Sequence, residues 1–127
     1  MPTITQLEEL EVWQEARILA KEIYALTNKL PKCEEYNLKK HLKENARGLP
    51  ANIAEGFYRY FKKERLHFYG IAKGCLGEIK NDVYLCYDLK YIRKSNAPLK
   101  CYLDQMSKVE RMLNSFISCT SRSNQKS

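Results

Sequence analysis

Residues 49–56 read Leu49-Pro50-Ala51-Asn52-Ile53-Ala54-Glu55-Gly56, a block that places a proline inside a segment of helical period. The apolar row that leads into and crosses this block is Leu38, Leu42, Ala46, Leu49 and Ile53. Because Pro50 has no N–H for the carbonyl of Ala46, a bend is expected there, and we assign Asn52 a structural role beside it. Gly56 is typical of a helix end. The block therefore predicts the final turns of a helix.

A basic and aromatic run follows the block. It begins with the five residues Phe57-Tyr58-Arg59-Tyr60-Phe61, and its charges are Arg59, Lys62, Lys63 and Arg65. One interpretation is that the rings stack on unpaired bases beside phosphate contacts. The other is that they close the end of a helical core, which we favour for Phe57 and Phe61, whereas Tyr58 and Tyr60 stay open. In both cases the run is expected to present a basic surface at one end of the fold.

Four segments carry apolar residues at steps of three and four. They predict helices over Gln6 to Lys29, Glu34 to Gly56, Lys62 to Tyr91 and Pro98 to Cys119. Thr5 is the expected N-cap of the first, with Glu8 completing a capping box. Short connections between long helices favour an all-α fold, an antiparallel up-and-down four-helix bundle. We assign the bundle domain to residues 1–119 and a flexible C-terminal tail to residues 120–127.

The third helix has a heptad seam beside a row of glycines. The seam is Tyr69, Ala72, Leu76, Ile79, Val83 and Cys86, and the glycines are Gly70, Gly74 and Gly77. Each glycine costs a helix roughly 1 kcal/mol relative to alanine. Close approach of another helix backbone is the simplest compensation, and that helix belongs either to the same chain or to another subunit.

Composition and charge narrow the class of protein. The chain has 127 residues, 44% of them hydrophobic, and no apolar run long enough to span a membrane. Its N-terminus has no apolar signal segment, so a cytoplasmic protein is expected. The net charge of +7 is uneven: residues 1–38 carry four basic and seven acidic groups, whereas residues 39–65 carry eight basic and three acidic groups. This asymmetry favours an anionic partner or contact between unlike faces of subunits, and a solvated basic surface is the alternative.

No catalytic constellation is evident. His41 and His67 lie in different segments without metal-ligand spacing, no phosphate loop is present, and the five cysteines form no CxxC pair. We therefore expect no cofactor, no metal and free thiols, and a binding or assembly role in preference to an enzyme.

Several blocks of the chain resemble one known family. They are Leu10-Glu11-Val12-Trp13-Gln14-Glu15-Ala16, Ile23-Tyr24, the Pro50 to Gly56 block, Phe68 to Glu78, and Asp88 to Ile92. Across residues 6 to 118 the chain is similar to the four-helix-bundle proteins named for the 23S rRNA intervening sequence. The resemblance implies a ring of five subunits with a basic surface. It also implies kinship with the accessory variability protein of diversity-generating retroelements, which partners a reverse transcriptase and is thought to bind nucleic acid.

Two functional hypotheses follow from the residues and the resemblance together. The first is a non-enzymatic, homopentameric protein that binds the phosphates of RNA or DNA through Lys39, Lys43, Arg47, Arg59, Lys62, Lys63 and Arg65. The second is an adaptor whose ring docks a reverse transcriptase or another partner enzyme. Glu44 stands where the family usually has an arginine, which lowers the positive charge of that part of the second helix.

Overall fold

Each segment with an apolar period of three and four residues is an α-helix in the structure, a computed structural model that describes residues 4–92 and 98–123. The helices are α1 (Glu11–Thr27), α2 (Leu38–Phe57), α3 (Lys62–Asp88) and α4 (Pro98–Ser121). Short 3-10 turns, Leu7–Glu9 and Lys32–Glu34, precede α1 and α2. The described residues contain no strand, and the predicted all-α, antiparallel up-and-down four-helix bundle is confirmed.

The helices pack in chain order, and α4 closes the bundle against α1. The inward stripes of the four helices meet in one core. Its fully buried side chains include Leu19, Ile23, Leu42, Leu49, Ile53, Tyr69, Ile79, Val83, Val109 and Leu113. The predicted seam of α3 is buried along its whole length. Within residues 4–92 and 98–123, no helix combines the length and the apolar character needed to cross a bilayer.

The first helix starts later than its sequence pattern predicts. The expected capping box at Thr5 and Glu8 is wrong: α1 begins at Glu11, and its N-cap is Leu10, which makes no side-chain cap hydrogen bond. Leu10 is buried instead, 4% exposed, so core packing fixes this helix start. The Gln14 side chain donates to the Glu8 carbonyl and holds the preceding 3-10 turn against the helix.

The second helix also starts late, at Leu38 instead of Glu34, and then continues through Pro50. The structural role predicted for Asn52 is confirmed by a hydrogen bond within the helix. Its side-chain amide donates to the Gly48 carbonyl at 2.7 Å, one turn back along the helix, and not to the Ala46 carbonyl that Pro50 leaves without a donor.

The second helix ends at Phe57, one residue past the predicted Gly56, but Gly56 also has a packing role that was not predicted. It lies inside α2, is buried, and has no positive φ. A Cβ built on Gly56 would lie 2.5 Å from Cε1 of Tyr69 and 3.1 Å from the carbonyl oxygen of Arg65. Tyr69 is itself 0% exposed and its ring packs 4.7 Å from the ring of Phe116, so it has no room to move away. Gly56 therefore permits the close approach of α2 and α3.

The end of α3 and the bounds of α4 differ slightly from the prediction. The third helix ends at Asp88, before the predicted Tyr91, and Lys90 then adopts a positive φ of 67°. The Tyr91 hydroxyl donates to Glu34 at 2.8 Å, which ties this end to the turn before α2. Pro98 begins α4 as predicted, and the helix continues two residues past Cys119 to Ser121. Residues 93–97, between α3 and α4, and residues 124–127 of the predicted tail lie outside the described residues.

Replacing Gly56 with alanine should destabilise the fold. The added Cβ overlaps a rigid ring, so the Gly56→Ala variant is expected to lose about 1–2 kcal/mol of unfolding free energy even though alanine favours helix. Urea denaturation measures the change. The matched control is Ser107→Ala, at an exposed position of α4. That control should be neutral or stabilising, and equal losses for the two variants would contradict the packing role of Gly56.

Candidate nucleic-acid interface

The basic residues predicted on the second helix lie in a row along α2. Lys39 is half-buried and its Nζ lies 3.1 Å from Oε1 of Glu35. Lys43 Nζ lies 5.7 Å from the ring centroid of Tyr24 on α1, a cation–π contact between helices. Arg47 is exposed. This row therefore runs along the side of the bundle where α2 adjoins α1.

Arg59, in the connection between α2 and α3, is surrounded by carboxylates. Its guanidinium lies 3.5 Å from Glu55 and 3.7 Å from Glu64, and it covers the ring of Phe68 at 4.9 Å from the centroid. Two carboxylates at this distance offset much of its positive charge, so Arg59 attracts a phosphate less strongly than its sequence position suggests.

Lys62 contacts the far end of the chain. Its Nζ donates to the carbonyl of Ser121 at 3.0 Å and to that of Ser123 at 3.1 Å. These carbonyls belong to the end of α4, where the helix dipole is negative and carbonyls lack helical partners. Lys62 therefore caps α4 and joins the start of α3 to it.

Arg65 and Lys63 lie two residues apart in α3 and differ in burial. Arg65 is half-buried beside the Tyr69 hydroxyl. Burial raises the pKa of Tyr69, and the positive charge of Arg65 partly offsets that rise. Lys63 is exposed and makes no ion pair with any residue in the described ranges. Of the four cations predicted at the bundle's end, Arg59, Lys62 and Arg65 interact with other groups of the chain, whereas Lys63 is exposed.

The aromatic residues of the connection also divide into two groups. Phe57 packs against the core, as predicted. The same prediction for Phe61 is wrong, because Phe61 is 44% exposed and contacts Tyr60 edge-on at 5.0 Å. Phe61 is the extended N-cap of α3, so its side chain lies outside the helical seam. Tyr58 and Tyr60 are 69% and 72% exposed.

Sequence reasoning missed one basic residue next to an aromatic ring. Trp13 packs partly against the core, but Arg17 lies over its ring, 4.7 Å from the centroid. The signal was available in the sequence, because residues four apart on a helix are neighbours. The excess of acidic groups in the first 38 residues led us to treat this segment as acidic and to overlook Arg17.

The chain was compared with models of known protein families. The model of the 23S rRNA-intervening sequence protein matches residues 8–115. The chain belongs to this family. A search of curated proteins finds none that matches it.

The potentially reactive side chains of this intervening-sequence family member do not gather into a site. Among the described residues, no three His, Cys, Asp or Glu side chains are arranged to hold a metal ion. Burial raises the pKa of the Cys75 and Cys86 thiols, to about 11 for Cys86, which disfavours the nucleophilic thiolate. His41 and His67 are exposed on different helices. The basic and aromatic surface is therefore the feature of this family member that is best suited to a ligand.

The neighbouring lysines at the start of α3 provide a test of these assignments. Lys62→Met should lower the unfolding free energy by about 1 kcal/mol, because two carbonyls at the end of α4 lose a charged donor. Lys63→Met should change stability by less than about 0.5 kcal/mol, as is usual for an exposed site. Urea unfolding of both variants measures the difference, and a larger loss for Lys63→Met would reverse the assignment.

Proposed function

We propose that the protein is a non-enzymatic, homo-oligomeric assembly protein that binds RNA or DNA through its basic surface. The observation that carries the proposal is the row along α2, in which Lys43 rests on Tyr24 and Arg47 is exposed. The net charge of +7 attracts anionic partners toward this surface at long range. Membership of a family named for an rRNA intervening sequence is consistent with a nucleic acid as that partner.

Within this proposal the predicted contact residues have two roles. Lys43, Arg47 and Lys63 contact phosphates, with Lys39 at the edge of the row. Arg59, Lys62 and Arg65 mainly hold the connection between α2 and α3 in place, because each already interacts with groups of the same chain. Contacts of this kind fix a nucleic acid by its backbone, so binding is largely independent of base sequence.

The glycine face of α3, defined by Gly70, Gly74 and Gly77, supports assembly. A Cβ built on any of the three meets nothing within 4 Å, so no helix of the same chain approaches them closely. The within-chain explanation for these glycines is therefore wrong, and contact with another subunit is the remaining one of the two. Ile71 and Leu85 near this face are 39% and 41% exposed, which adds apolar area to a subunit contact.

A ring of five subunits, as the resemblance implies, would multiply weak sites. Each subunit repeats the same basic row, so one nucleic acid that spans several subunits dissociates only when all contacts are lost together. The same exposed apolar side chains favour a second candidate, an adaptor that docks a reverse transcriptase or another partner enzyme.

Binding to nucleic acid should be strongly salt-dependent. We expect micromolar affinity for a structured RNA or DNA at low salt, and a steep loss as salt rises, because phosphate contacts release counterions. Fluorescence anisotropy across a salt series measures this. Equal affinity at low and high salt would refute the phosphate contacts. No binding at all, together with nuclease-resistant capture of a reverse transcriptase, would favour the adaptor instead.

Large side chains on the glycine face should prevent assembly. The double variant Gly74→Leu and Gly77→Leu is expected to have the mass of a single chain in light scattering, whereas the wild type has a multiple of it. Leucine favours helix over glycine, so unfolding would not explain the loss. The matched control is Lys73→Leu and Lys80→Leu, on a neighbouring flank of the same helix. A monomeric wild type, or equal assembly of the glycine variant, would disprove this contact.

A further inference from the structure

The charges of α1 are separated onto two sides of the helix. The Glu15 carboxylate faces α4, where it lies 3.0 Å from Lys108 Nζ and 3.2 Å from Gln105 Nε2. These two donors hold the pKa of Glu15 below its usual value. Glu22, seven residues on, lines a depression with Tyr102 of α4. These two acidic groups of α1 therefore lie on the α4 side.

The side of α1 that faces α2 is basic and aromatic. Arg17 covers Trp13, and Tyr24, two turns after Arg17, lies under Lys43 of α2. Lys21 is exposed and lies one turn from both Arg17 and Tyr24, since residues three or four apart share a helix face.

The antiparallel course of α2 extends this basic side. Lys43 lies beside Tyr24. Because α2 is antiparallel to α1, the residues after Lys43 run back toward the start of α1. Arg47, one turn after Lys43, therefore lies beside the part of α1 that carries Arg17, and Lys40 lies one turn in the other direction. We define the α1–α2 flank as Arg17, Lys21, Lys40, Lys43 and Arg47.

The cations of the α1–α2 flank are not neutralised within the chain. In the described ranges, none of the five has a carboxylate within 4.0 Å, whereas Lys39, Lys100 and Lys108 each have one and Arg59 has two. Glu44, next to Lys43 in the sequence, instead lies near a histidine of its own helix. Its carboxylate lies 4.0 Å from His41, which lines a depression with Gly74 and Asp82 of α3.

We propose that the α1–α2 flank is the face that binds the phosphodiester backbone, and that Arg17 and Lys21 of α1 contribute to it together with α2. The inference rests on the proposed function and gives it a location. Trp13 and Tyr24 hold Arg17 and Lys43 by cation–π contact, which reduces the side-chain entropy lost when a phosphate binds. Because the rings of Trp13 and Tyr24 are already covered by a cation, the flank contacts the phosphodiester backbone and does not stack on bases.

The test compares two double variants that lose the same charge. One is Arg17→Ala with Lys21→Ala, and the control is Lys73→Ala with Lys80→Ala, two exposed lysines of α3. Their affinity for a fluorescent single-stranded RNA is measured by anisotropy over a range of salt. The flank variant should bind about tenfold more weakly at 0.1 M salt, and the slope of log K against log salt should fall by about 1.4, as for two lost phosphate contacts. The control should stay within about twofold of the wild type.

A second readout is local to the flank. The chain has one tryptophan, Trp13, which lies directly under Arg17. Saturating RNA should therefore change the intrinsic fluorescence of the wild type, and a DNA strand of the same sequence should do so too if the shared phosphodiester is what binds. Circular dichroism checks that the variants remain helical.

The outcomes separate the flank from the wider proposal. Equal weakening of both double variants, or unchanged Trp13 fluorescence at saturation, would overturn the flank as the site while nucleic-acid binding stands. A wild type that binds neither RNA nor DNA at low salt would overturn both.

Discussion

The close contact between α2 and α3 at Gly56 is the constraint on which the rest of this bundle depends. The ring of Tyr69 lies so near the Gly56 backbone that even a methyl group has no room. Tyr69 in turn fills the end of the core against Phe116 of α4. Because the two helices meet this closely, the four-residue connection from Tyr58 to Phe61 must leave the bundle at a fixed point and return at once into α3.

This short connection determines which groups the basic residues around it contact. Arg59 is brought between a carboxylate at the end of α2 and another at the start of α3. Lys62 reaches the carbonyls at the end of α4, and Arg65 lies half-buried beside Tyr69. A cation that already has partners gains less from a phosphate than a free one, so the richest basic stretch of the sequence is not the richest basic surface.

The same reasoning applies to the first helix, with the opposite result. Counted along the chain, residues 1–38 are acidic. In the bundle, Glu15 pairs with Lys108 of α4, while Arg17 turns toward α2 and rests on Trp13. Charges interact across helices over about 8–10 Å at physiological salt, so the sum of charges in a segment does not predict the charge of a face. The glycines of α3 show a related limit, because their row in the sequence left open whether an approaching helix belongs to the same chain or to another subunit.

The four helices, the buried seam of α3 and the family were predictable from the amino-acid sequence, because apolar period and local motifs are properties of contiguous residues. The sequence could not determine that the N-cap of α1 is Leu10 and not Thr5, that Gly56 accommodates a ring, or that Lys62 bonds a carbonyl 59 positions away. Those features depend on which helices become neighbours and how closely they pack. Which cations face solvent depends on the tertiary fold, because several of the groups that partner these charges lie far away in the sequence.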